Sequence, residues 1–383
     1  PPKRYCMTPM RTAKRHLTCC AAVIGTRLGS TSLAPDTSTI SIDTTEAAEA
    51  AATALLGDPV RQVSRQQGGG NNRLYRVEAA DGRQYALKTY FKRPGDDRDR
   101  LGAEFGGLTF LRAQGVDRQV PRAVARDAER HCALFGWVDG DAVGQPTPRD
   151  LFEALCFVLD LYRLAQQPEA AALPLASEAC LSGAEVARQI DRRLDRLLVI
   201  DDHRLRAFLI DTFAESYERH CNFAMAQYQG RGMNFAEPIE LSALTLSPSD
   251  FGFHNAIRRA DGRLVFIDFE YFGWDDPVKL VADFLLHPGM GLDVELRRRF
   301  RRGAAAVFGG DHDFEARLRA LFPLYAMRWC LILLNEFLPE RWLRRDYAGA
   351  HPDRDYALDN QLAKAKAMLR QIDDANTEVF EDD

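Results

Sequence analysis

Within Leu246 to Asp268, LSPSDFGFHNAIRRADGRLVFID, an aspartate is followed five residues on by an asparagine and thirteen beyond that by a second aspartate. These residue types suit phosphoryl transfer. A carboxylate such as Asp250 can receive the proton of an attacking hydroxyl, while the amide oxygen of Asn255 and the carboxylate of Asp268 are hard oxygen donors of the kind Mg²⁺ prefers. The flanking sequence says how they could be brought together. The apolar run LSALTL leads into the segment bearing Asp250 and Asn255, and a second run, RLVFI, follows a DG turn at Asp261-Gly262 and ends at Asp268. Two short strands joined by a turn would hold all three polar side chains at one end of a hairpin.

Four further segments lie upstream. QQGGGNNRLYRV, Gln66 to Val77, is a glycine-rich turn entering a strand, and Gly68, Gly69 and Gly70 would let backbone amides approach a phosphate. RQYALKTYF places Lys88 in an apolar, aromatic run. Only seven of the fifty basic residues are lysine, so its position is selective, and alternation sets it on the face opposite Leu87. DRLGAEFGGLTFLRAQG is helical in spacing, with Glu104 beside Phe105, Leu108 and Leu111. HCALFGWVDG, His131 to Gly140, is an apolar strand running into a glycine-containing break.

In order and spacing these segments resemble the aminoglycoside phosphotransferase and choline kinase-like family, and the match runs from Arg61 to Pro288. The resemblance implies an α+β, bilobal protein-kinase-like fold, with a small antiparallel-sheet N-lobe and a large, mainly helical C-lobe. It implies ATP and Mg²⁺ as cofactors and a small-molecule hydroxyl as acceptor. On that likeness Gly68, Gly69 and Gly70 cover the phosphates, Lys88 holds them and is oriented by Glu104, and adenine meets the hinge at Gly136, Trp137 and Val138. Asp250 is then the catalytic base, Asn255 and Asp268 the metal ligands, and Asp283, in the FEYFGWDDPVKLVADFLLHP segment, a structural brace for the catalytic loop. One departure stands out. The family usually carries a histidine two residues before the catalytic aspartate, where this chain has Pro248; His254, next to Asn255, reads as a packed or hydrogen-bonded histidine in the wrong place to replace it. A nucleotide-binding pseudokinase with a regulatory or scaffolding role is the alternative that this departure allows.

Length and composition fit two lobes. A chain of 383 residues exceeds the size at which one core keeps growing. With 46% hydrophobic and 27% charged residues and a formal charge of -5, it has no net pull toward nucleic acid or an anionic membrane. No uninterrupted apolar run is long enough to suggest a membrane span. The eight cysteines show no CxxC spacing, so they read as free thiols of a reducing compartment, and the expected location is cytoplasmic.

The expected organisation has four parts. Residues 1–45 form a disordered extension in which a weak signal-peptide pattern is the lesser reading. Residues 46–138 are the N-lobe and 139–375 the helical C-lobe, whose helices before the catalytic loop would build the acceptor pocket on the family resemblance. The arginines of those helices read as solvated faces or ion pairs, with no individual substrate ligands among them. Residues 376–383 read as a solvated acidic tail.

Overall fold

The computed structural model describes residues 42–66, 72–92, 96–348 and 353–380. The first element is helix α1, Thr45–Leu56. Thr44 caps its first turn by accepting from the Ala47 amide, and Gly57, in the left-handed region at φ 73°, closes its end on Thr53. Ile42, just ahead of it, is already buried in the N-lobe core.

An antiparallel five-stranded sheet follows. Its strands are β1 Val60–Gln66, β2 Arg73–Ala79, β3 Gln84–Thr89, β4 Ala123–Asp127 and β5 Cys132–Gly136, in spatial order β1-β2-β3-β5-β4. Alternation along β3 sends Tyr85 and Leu87 into a core with α1 and leaves Lys88 on the other face. That face is covered by helix α2, Arg100–Ala113, whose N-cap is Asp99. Gly107 lets α2 come close, since a Cβ there would lie 2.5 Å from the ring of Phe272. The helix thereby packs directly against the chain that follows Asp268.

Beyond the two-residue strand β6, Asp141–Ala142, the chain is mostly helical: α3 Pro148–Ala165, α4 Gly183–Leu198, α5 His203–Phe208 and α6 Ala214–Gly230. Four short strands interrupt the helices: β7 Thr245–Ser247, β8 Ala256–Arg258, β9 Leu264–Phe266 and β10 Gly273–Asp275. The hairpin differs from the one the apolar runs suggest. RLVFI, as β9, pairs with β8, and LSALTL, as β7, pairs with β10. The DG turn is too close to β8 to join any other pair. Asn255 and Asp268 therefore sit together at one end of the β8–β9 hairpin, where the Ile267 amide donates to the Asn255 carbonyl at 2.9 Å.

The lobe is completed by α7 Pro277–Leu286, α8 Val294–Val307, α9 Phe314–Leu333, α10 Pro339–Ala348, α11 Arg354–Arg370 and α12 Ile372–Phe380. Helix α9 is apolar around most of its circumference because it is the core, packed by α4, α6, α7 and α11. Among the described residues one stretch, Phe314–Phe337, has the length and apolarity to cross a bilayer, and it is this buried helix. The expected acidic tail needs correction. Residues up to Phe380 are helical, and Val379 and Phe380 are buried, with Phe380 edge-on to Phe322. Two apolar side chains outweigh the nearby acids in deciding where this segment lies.

Helix α10 turns back to the N-lobe. The Tyr347 hydroxyl is 2.7 Å from Thr89 Oγ1, and Arg73 donates to the Tyr347 carbonyl while stacking over its ring. The five described cysteines are free thiols, while Cys6, Cys19 and Cys20 lie outside the described residues with most of the expected extension.

Candidate active site

Lys88 is the hub of the cleft between the lobes. Its Nζ donates to Glu104 Oε2 at 2.6 Å and to Asp268 Oδ1 at 2.5 Å, and its side chain is only 12% exposed. Glu104 is fixed in turn by the Tyr90 hydroxyl at 2.7 Å and by the Phe269 amide at 3.3 Å. Burial alone would lower the lysine pKa, but the carboxylates of Asp268, Glu104 and Glu270 outweigh it and hold the ammonium well above its usual range. Asp268 moves up, because it is buried among Glu270 and Glu104 with Lys88 only partly compensating. Glu270 is buried and accepts from Asn72 at 2.8 Å.

The cleft thus gathers three carboxylates around one ammonium. That surplus of negative charge, with the oxygens of Asp268 and Asn255 at the end of one hairpin, suits a hard divalent cation such as Mg²⁺. Asn255 is oriented by donating its Nδ2 to the Asp250 carbonyl at 2.9 Å, which leaves its side-chain oxygen as the available donor atom. Asp268 is held in the left-handed region at φ 67°, a conformation costly for a non-glycine residue and persistent only where its surroundings enforce it.

Asp250 lies on the other side of the hairpin end. His254 Nε2 is 3.0 Å from Asp250 Oδ1, and the imidazole of His287 stacks on His254 with centroids 3.6 Å apart. Burial would raise the Asp250 carboxyl, yet the His254 hydrogen bond, the two histidines and Asn255 keep it below its ordinary value. His287 is pushed down to about 4, first by burial and then by His254, so it is neutral near pH 7. His254 is thus both packed and hydrogen-bonded, and its partner is the carboxylate that could take a proton. A helical 3₁₀ turn, Phe253–Asn255, swings the histidine back toward Asp250, which spacing along the chain does not reveal.

The loop holding Asp250 has a second support. Lys279, fully buried, donates to Ser249 Oγ at 2.9 Å and pairs with Asp275 at 3.0 Å and Asp283 at 3.3 Å. Ser249 is itself left-handed at φ 68°. Asp283 reaches the loop through Lys279 and also accepts from Trp329 Nε1 at 2.8 Å. Sequence reasoning passed over Lys279; a lysine in the apolar PVKLVADFLL helix, with aspartates four residues before and after it, was the signal available.

At the hinge, the Gly136 amide donates to the Arg122 carbonyl and the Trp137 amide to the Gln84 carbonyl. Among the described residues the Val138 amide makes no backbone hydrogen bond. Trp137 packs under the Arg76 guanidinium and bonds Asp139 through its indole nitrogen. Gly68, Gly69 and Gly70 lie outside the described residues. A cavity of about 550 Å³ opens beside Ser249 and Asp250 and runs toward α4, α9 and α10.

A profile of the Phosphotransferase enzyme family, APH, matches residues 62–321, and the chain belongs to that family. No curated protein sequence matches it significantly. Solved structures share its protein-kinase-like fold. Spectinomycin phosphotransferase, solved with ADP and spectinomycin, is 11% identical with a TM-score of 0.56 over 84% of this chain and 98% of its own. A thermostable mutant of an aminoglycoside phosphotransferase, solved with ADP and hygromycin B, is 14% identical with a TM-score of 0.52 over 87% and 99% of the two chains. A choline kinase from Streptococcus pneumoniae is 15% identical with a TM-score of 0.51 over 85% and 98%. The protein is thus a phosphotransferase of the small-molecule kinase type.

Proposed function

We propose that this phosphotransferase moves the γ-phosphate of ATP to a hydroxyl of a small metabolite, a sugar, an amino alcohol or an aminoglycoside-like compound. The observation that carries the reading is Lys88 bonded at once to Glu104 and Asp268, with Asp250 on the adjoining wall of an open cavity. Lys88, oriented by Glu104, holds the α- and β-phosphates, and Gly68, Gly69 and Gly70 cover them. Adenine is received at Gly136, Trp137 and Val138, where the Val138 amide is the donor left for it.

Asp250 orients the acceptor hydroxyl and takes its proton as the oxygen attacks. A bond forms between that oxygen and the γ-phosphorus while the bond to the β-phosphate oxygen breaks, so the products are a phosphate monoester, ADP and a proton. Asn255 and Asp268 would hold Mg²⁺, which when bound neutralises charge on the phosphate oxygens. Asp283 and Lys279 brace the loop without touching the reacting atoms. The reaction belongs in a compartment that supplies ATP, and we assign it to the cytoplasm.

Transfer of labelled γ-phosphate from Mg·ATP to a fractionated metabolite pool tests the reading, with Asp250→Asn run in parallel. A labelled small molecule made by the wild type and absent with Asp250→Asn is the expected result. Mg²⁺-dependent ATP binding with no product from any fraction would favour the nucleotide-binding pseudokinase that Pro248 allows.

A further inference from the structure

The cavity beside Asp250 has a charge pattern that bears on the acceptor. Six arginines face it: Arg98 from the segment before α2, Arg193 and Arg196 from α4, Arg328 from α9, and Arg341 and Arg344 from α10. Four carboxylates face it, and each has an engagement. Glu178 is bonded by Arg193 and Arg328, with Arg98 at 4.0 Å; Asp283 by Lys279, Arg328 and Trp329; Glu340 by Arg196; and Asp250 by His254. Two further carboxylates stand behind the wall: Asp96, shared by Arg98, Arg100 and Arg344, and Glu336, shared by Arg341 and Arg345.

This is an excess of donors over acceptors. Each guanidinium carries five N–H groups in a planar fork, and a carboxylate shared among three of them cannot satisfy all. Two of the guanidiniums are crowded by their neighbours, while carboxylates hold Arg98 and Arg328 above the usual range. Burial, reinforced by Arg100 and Arg98, holds Arg344 below the usual arginine range, and burial with Arg328 lowers Arg193 against the pull of Glu178. His287, also on the wall, is neutral and offsets none of this charge. An ammonium group entering here would meet carboxylates already taken and a positive rim. Glu178 shows how an anion fits: its backbone is left-handed at φ 59°, and its carboxylate stands where guanidiniums from two helices converge.

We infer that the acceptor is an anionic hydroxyl compound, bearing a carboxylate or phosphate that the arginines of α4, α9 and α10 hold while its hydroxyl faces Asp250. This rests on the phosphotransfer reading above and narrows its acceptor class away from cationic amino compounds.

The arginines come from elements distant in sequence, so their convergence is a property of the fold. Arg196 is half exposed and can be changed with little risk to folding, and Arg193 provides a second, more buried position.

The test uses the full chain loaded with Mg·ADP and a matched series: glucose (neutral), glucosamine (cationic), gluconate (carboxylate) and glucose 6-phosphate (phosphate). Calorimetric binding is measured beside labelled phosphate transfer from Mg·ATP, for wild type, Arg193→Gln and Arg196→Gln. The expected result is binding of gluconate or glucose 6-phosphate at least tenfold tighter than glucose or glucosamine, with at least a tenfold loss in both variants. Which of the two binds identifies the anion. Preference for glucose or glucosamine, anion binding unchanged in both variants, or no anion binding would overturn the inference, and transfer to glucose or glucosamine would still uphold phosphotransfer. Arginine-dependent anion binding without transfer in the wild type would instead sustain the pocket and count against the phosphotransfer reading.

Discussion

Two lysines in this protein are each clamped between two carboxylates, and they differ in what else can reach them. Lys88 lies between Glu104 and Asp268 with 12% of its side chain exposed to the cleft, and Asp268 beside it is 34% exposed. Lys279 lies between Asp275 and Asp283 with none of its side chain exposed. Both ammoniums are held above the usual lysine range, each by its carboxylates against the cost of burial. On the proposed function an incoming phosphate competes at Lys88 for the same N–H donors, and the pair would work as a socket. Lys279 itself is sealed from solvent, though Asp283 and Ser249 border the cavity, and its third contact is Ser249, one residue before Asp250. On that reading the same charge arrangement would serve ligand binding where the lysine is accessible, and it supports loop geometry where the lysine is not.

The largest expected effect breaks the closed member of the comparison. Lys279→Met strands Asp275 and Asp283 without their cation in a buried site, and removing one partner of such a cluster costs about 3–5 kcal/mol. Urea unfolding midpoints measure it. A loss near the surface-pair range would mean that the aspartates find water or another partner. Adding Asp275→Asn to Lys279→Met should recover part of the loss, because one stranded charge is removed.

Lys88→Met comes next and acts on turnover. Its carboxylates lie in a cleft that admits water, so the stability change should be smaller than for Lys279→Met. Loss of a positioned charge on the transferring phosphates should lower kcat by about 10²–10³. Steady-state kinetics with saturating Mg·ATP and the identified acceptor would test this. A variant that unfolds as readily as Lys279→Met while keeping its turnover would reverse the roles assigned to the two lysines.

The contrast also marks what could be read from the chain alone. The Asp250, Asn255 and Asp268 spacing was legible because the β8–β9 hairpin and the segment that leads into it carry all three, and local turns translate spacing into proximity. Lys88 stood out as a scarce residue type in an apolar strand, and strand alternation placed it opposite Leu87. Its pairing with Glu104 needed the family resemblance, since a helix carboxylate taken alone reads as solvated. Lys279 was missed because its bond to Ser249 spans thirty residues and depends on how α7 packs beneath the loop. The arginines of the cavity come from four separate elements, and amphipathic spacing cannot say which helix faces converge. The tail was misread for a similar reason: its acids are visible in sequence, whereas the pocket that buries Val379 and Phe380 is made by α9 and α8.

His254→Ala is expected to have a smaller effect, lowering kcat about 10–100-fold with little change in KM for ATP, as is usual when a group that orients a reacting residue is removed. His254 bonds Asp250, whereas Lys279 supports the backbone beside it, so the two variants should separate: one loses rate with the fold intact, the other loses stability first. Equal rates for His254→Ala and wild type would leave the loop's orientation to Lys279 alone.

The smallest effect concerns Glu178, whose side chain is more exposed than that of either lysine. Its carboxyl is pushed down to about 2; burial opposes this, and Arg193, Arg328, Arg98 and Lys279 outweigh it. Because the folded-state pKa is depressed, the stabilisation is fully present above the ordinary glutamate range near 4.5 and is lost as pH falls from there through about 2. Its side chain is 38% exposed, so solvent screens much of the attraction and the effect should be modest. Thermal midpoints of wild type and Glu178→Gln should therefore differ most near neutral pH and converge toward pH 3. Comparison with the variant cancels the other carboxylates that titrate over the same range. A constant offset across pH would mean that Glu178 acts through packing or its left-handed backbone rather than through its charge. The guanidiniums around it would then be satisfied elsewhere, and the open and closed sites of this protein would differ less than their exposures imply.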